Sequence, residues 1–79
     1  MAKYDLLRDH LRRRSGAVEL SFAEVSDLVP GGLPNSAYRY AAWWNNGDET
    51  HSHCRSWGDA GFDAHADIPR QRVRFVPRL

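Results

Sequence analysis

One junction limits the folds open to this chain more than any other. Val18-Glu19-Leu20 alternates apolar, charged and apolar, which is the period of a strand. Ser21 then stands three residues before Glu24, the spacing of a reciprocal N-terminal cap, and Leu20 can staple onto Val25. The spacing predicts a short strand over 17–20 that turns directly into a helix at about Phe22. Phe22, Val25, Leu28 and Val29 would face inward, and Pro30-Gly31-Gly32 would end it. A chain that changes period this abruptly mixes helix and strand around a shared core.

The flanking segments extend that reading. Tyr4, Leu7, Arg8 and Leu11 follow the three-and-four spacing of one helical face, which predicts a helix over 4–14, stopped by Ser15-Gly16. Asp5 suits its positive end and Arg12, Arg13 and Arg14 its negative end. After the glycines, Leu33-Pro34-Asn35-Ser36 is a second start signal. Ala37, Tyr40, Ala41 and Trp44 then share a face, predicting a third helix over 35–44, with the alternative that Trp43-Trp44 bends off as an extended segment. Asn45-Asn46-Gly47-Asp48 is turn chemistry. Thr50 or Ser52 is placed to cap a fourth helix over 51–60, with Gly61 at its end. Residues 62–66 and 72–76 read as strands joined by Asp67-Ile68-Pro69-Arg70. In the second of these, Val73 and Phe75 face one way and Arg72 and Arg74 the other.

The expected order is α-β-α-α-α-β-β in one α+β domain spanning 1–79. A short strand after the first helix can pair with a terminal hairpin, the layout of a small winged helix-turn-helix-like domain. The stretch from Phe22 to Arg39 also has the outline of a helix-turn-helix, with a turn longer than the usual three or four residues. At 79 residues the core is small, but three Trp, three Tyr and three Phe give enough apolar mass to fold without disulfides. The single cysteine, Cys54, excludes an intrachain disulfide framework. No apolar run approaches the ~20 residues of a membrane helix, and Lys3, Asp5, Arg8 and Asp9 break any signal-peptide pattern. A cytoplasmic protein is expected, nucleoid-associated if it binds DNA.

The series Tyr4-Asp5 … Leu7-Arg8-Asp9-His10-Leu11, Phe22-x-Glu24-Val25, Leu33-Pro34-x-Ser36-Ala37, Ala42-Trp43-Trp44-x-Asn46 and His51 … Trp57-x-x-Ala60-Gly61-Phe62 resembles a family of small uncharacterised bacterial domains. These occur as free-standing proteins and as modules appended to larger ones. The likeness runs over nearly the whole chain. It implies a bacterial module with a fold similar to winged helix domains. The sequence departs from the pattern at His53 and Cys54, where Gln and Ala are expected, which argues against a shared function or a family-wide metal site at either.

The residues themselves favour binding over catalysis. His51, His53, Cys54 and His65 are zinc-type ligands, but no C-x-x-C or H-x-x-x-H pair is present. On a helix His51 and His53 would point about 200° apart, so no metal or other cofactor is expected. Cys54 has His51 one turn back, yet a small buried cysteine is the commoner role, and an independent enzyme is not expected. Charge is uneven: residues 48–67 carry −4 and residues 68–79 carry +4, within a formal net charge of +1. Such asymmetry hints at an anionic partner, but on charge alone a solvated surface balanced between neighbouring elements is the commoner reading.

The function expected is therefore a module for double-stranded DNA. Asn35, Ser36, Arg39, Asn46, His51 and Arg55 are the candidates for base contacts. Arg70, Arg72 and Arg74 on the hairpin are the candidates for phosphates. Tyr38 and Trp43 are the aromatic contact candidates. The alternative is a protein-interaction or oligomerisation module with Trp43, Tyr38 and Tyr40 as anchors, which the near-neutral net charge favours. A homodimer is open under either reading.

Overall fold

The structure, a computed structural model, describes residues 3–48 and 50–78. The predicted strand-to-helix junction is present. Strand β1 (Val18–Ser21) runs directly into α2 (Phe22–Asp27). The Ser21 hydroxyl accepts from the Glu24 backbone N–H at 3.0 Å, and the Glu24 carboxylate accepts from the Ser21 N–H at 2.9 Å. These bonds satisfy donors that the first turn of a helix otherwise leaves open.

Helix α1 (Asp5–Arg12) precedes this junction, and α3 (Asn35–Arg39) and a 3-10 turn (Ala41–Trp44) follow it. Helix α4 (Ser52–Asp59) and strands β2 (Phe62–Asp67) and β3 (Arg72–Pro77) complete the chain. The chain is thus α+β. Its one sheet is antiparallel, in the order β1-β3-β2. The register sets Leu20 opposite Val73, and both Val18 and Ala64 opposite Phe75. These residues form the inward face, and Glu19, His65, Asp67, Arg72 and Arg74 form the outward one.

The predicted third helix is not continuous. It breaks at Tyr40, whose backbone is extended at φ −124° and ψ 118°. The physical reason lies in the core. An unbroken helix would have set Tyr40 and Trp44 on one inward face. The break instead leaves Tyr40 60% exposed and carries Trp44 inside, 3% exposed. Trp44 then stacks between Phe22, at 5.0 Å, and Trp57, at 5.7 Å. Each buried indole N–H finds a carbonyl: Trp44 donates to Ala37 and Trp57 to Asn45.

The predicted cap of α4 also differs. His51 occupies the cap position and makes no side-chain cap bond. The Thr50 hydroxyl donates to Asp48 instead, at 2.6 Å. Gly61 ends α4 at φ +85°, a conformation that favours glycine.

Candidate functional site

The sequence candidates for base contact separate into three places. Asn35, Ser36 and Arg39 are exposed together on α3, opposite buried Ala37. His51 and Arg55 are exposed one helical turn apart at the start of α4. Arg55 lies beside a shallow cleft between α1 and α4 that also contains Tyr4, Arg8, Ser52 and Asp59.

Asn46 is committed elsewhere. Its side-chain N–H donates to the Ala64 carbonyl at 2.9 Å, and its side-chain oxygen accepts from the Ala64 N–H at 2.7 Å. Ala64 is on β2, an edge of the sheet. The Asn46 amide therefore imitates one rung of a further strand. It occupies the donor and acceptor with which an asparagine would read adenine.

His51 sits in an organised turn. Its Nδ1 is 2.8 Å from an Asp48 carboxylate oxygen. The other Asp48 oxygen accepts from both the Thr50 N–H and the Thr50 hydroxyl. These bonds, led by the Thr50 hydroxyl, hold the Asp48 carboxyl far below the usual carboxylate range. Asp48 thereby fixes the His51 ring by one nitrogen and leaves Nε2 for a partner. The turn borders an open groove of about 280 Å³ lined by Ala42, Trp43, Asn45, His53 and Cys54 as well. Neither Asn46 nor Arg39 lines it.

The aromatic candidates are less available than expected. Trp43 is half-buried, stacked face to face on His53 with ring centres 4.0 Å apart. His53 Nε2 donates to the Trp43 carbonyl at 2.8 Å. Burial in this stack lowers the His53 pKa. Tyr38 is also half-buried, edge-on to Phe22 at 5.6 Å. Tyr40 is the aromatic that faces solvent, because of the break before the 3-10 turn.

The hairpin arginines meet acids that the linear charge map held apart. Arg72 Nε lies 2.7 Å from Glu19 on β1, and Arg78 Nε 2.6 Å from Asp63 on β2. Arg70 faces Asp67 at 3.7 Å. Both strands flanking β3 thus bring acids to the C-terminal arginines, and three of the four are paired. Among the described residues Arg39, Arg55 and Arg74 have no carboxylate within 4.0 Å.

Among the described residues no group of three or more His, Cys, Asp or Glu side chains is placed to hold a metal ion. The Cys54 thiol is buried and its pKa is raised, chiefly by that burial, which disfavours the nucleophilic thiolate. Among the same residues no helix is long and apolar enough to cross a membrane.

Sequence reasoning missed two features of this region. One is the hold of Asp48 on His51, which the three-residue spacing inside a turn could have signalled. The other is the Trp43–His53 stack, which has no local signal.

No curated protein and no solved structure matches the chain. A family model described as a domain of unknown function, DUF7662, matches residues 4–77. That match spans every helix and strand described above, and the chain belongs to this family.

Proposed function

We propose that the protein is a double-stranded DNA-binding module built on a winged helix-like plan. The observation that carries this reading is the order of elements around α4. That helix packs on α1 and runs into the β2–β3 hairpin, and β1 completes the sheet on the far side of β3. Winged helix domains use this arrangement to set one helix in the major groove and a hairpin on the backbone. On this plan α3 and the 3-10 turn lie within the connection between the second helix and the reading helix.

Helix α4 is then the reader. His51, Ser52 and Arg55 are its exposed residues toward the N-terminal end. Arg39 lies in the preceding connection and Arg74 on the outer face of the hairpin, each a guanidinium without a carboxylate partner among the described residues. Arg55 and His51 take base edges, and Arg74 takes phosphate. A fluorescence anisotropy titration against labelled duplex pools tests this. Affinity that falls steeply as salt rises supports it. No binding by micromolar protein at low salt rejects it.

One observation favours the second reading, a protein-interaction module. Three of the hairpin arginines are already paired with acids, while Tyr40 and Leu6 are exposed at 60% and 43%. Tyr40 would be its anchor. Sedimentation of the chain alone tests the homodimer form, and Tyr40→Ala should abolish any dimer seen.

A further inference from the structure

The least compensated positive charge lies outside the hairpin. Arg12, Arg13 and Arg14 are all exposed, and among the described residues none has a carboxylate within 4.0 Å. Arg12 is the last residue of α1, and Arg13 and Arg14 lie beyond it. The helix dipole favours cations at this negative end of α1, by a few tenths to about 1 kcal/mol each. Three guanidinium groups on consecutive residues repel one another, a cost that an anion on the same surface removes.

Their surroundings reinforce the point. Arg14 Nη2 lies 3.3 Å from His10 Nε2. An arginine only donates, so that nitrogen accepts and the imidazole is neutral. The His10 pKa is lowered by burial first and then by Arg14 and Arg13. The acid on this side is Glu24, and its carboxylate is engaged by the Ser21 N–H. Glu24 also feels Arg72, at the start of β3, whose neighbour Gln71 accepts from the Phe22 N–H at 2.8 Å. Through His10 and Glu24 the run is linked electrostatically to the turn end of the hairpin, where Gln71 and Arg72 lie.

We infer that Arg12, Arg13 and Arg14 form the main phosphate-contact surface of the protein, ahead of the acid-paired Arg70, Arg72 and Arg78. This rests on the DNA-binding reading. Guanidinium groups match phosphate oxygens in a bidentate fork. Arg12 ends α1 and Arg13 and Arg14 follow it, all three exposed, so each guanidinium is a separate donor for a phosphate.

The test uses the whole chain and a labelled random-sequence duplex. Anisotropy is followed from about 25 to about 200 mM salt for the wild type, for Arg12→Gln/Arg13→Gln/Arg14→Gln, and for the same three positions changed to Lys. The Gln variant should flatten the slope of log affinity against log salt by about 2.7 units, three phosphates at about 0.9 each. The Lys variant should keep the slope, and circular dichroism should find both variants folded. Wild-type binding with an unchanged slope in the Gln variant overturns this inference and leaves the DNA reading standing. A loss of slope in the Lys variant equal to that in the Gln variant also overturns it, since charge would not then be the cause. Absence of duplex binding by the wild type overturns both.

Discussion

Removal of the Asn46 side chain is the sharpest test of the fold around the site. Ala64 lies on the edge strand β2, opposite Phe75 of β3, and is 4% exposed. Its N–H and carbonyl both point away from β3 and are held by Asn46, at 2.7 and 2.9 Å. In Asn46→Ala both bonds are lost and two backbone groups are left open. A hydrogen bond contributes about 1 kcal/mol net, and an orphaned buried group costs about 1–3 kcal/mol. Water can reach an edge strand, so each group costs about 1–1.5 kcal/mol, near the bottom of that range, and the expected loss is about 2–3 kcal/mol. For a domain of this size each kcal/mol moves Tm by about 4–8 °C, so Tm should fall by roughly 10–20 °C. Asn46→Asp should cost at least as much, because a carboxylate would face the Ala64 carbonyl. Urea unfolding at constant m-value reads the change. A loss below about 0.5 kcal/mol would mean that the clamp does not stabilise β2.

Other outcomes follow from the same structure. Ser21→Ala removes one half of the capping box and should destabilise by about 1 kcal/mol in urea unfolding; an unchanged midpoint would contradict the cap. The folded state lowers the pKa of His53, mainly through burial, so the unfolded chain binds more protons just below the ordinary histidine value. The corresponding stability is full above that value and is lost as pH falls through the folded one. His53→Gln keeps a donor for the Trp43 carbonyl and should flatten the fall in Tm on acidification; an identical pH profile would remove His53 as its cause. Excess chelator should leave Tm unchanged, given the scattered metal-type ligands, and unfolding on chelation would refute this.

Much of the framework was legible because its signals are local. The Ser21–Glu24 box, the Gly61 stop and the alternation of Val73 and Phe75 each involve residues a few positions apart. The pairing of β1 with the terminal hairpin also followed from element order. Long-range features were hidden. Asn46 meets Ala64 across 18 residues, and Arg72 meets Glu19 across 53. The spacing that predicted one helix over 35–44 was real, since Ala37 and Trp44 are both inside. It could not reveal that stacking Trp44 between Phe22 and Trp57 requires a break at Tyr40. The acids that pair with Arg72 and Arg78 could not be named from the sequence, because Glu19 and Asp63 lie on other strands.

The claim of a DNA-binding face built on α4 is tested most directly by amide-resolved NMR during titration with duplex DNA at low salt. Shifts should concentrate at residues 51–55 at the start of α4, around Arg39, along the hairpin near Arg74, and at the arginine run 12–14. These shifts should fade as salt is raised. A spectrum unmoved by excess duplex, or one that moves only around Tyr40 and Leu6, would contradict it.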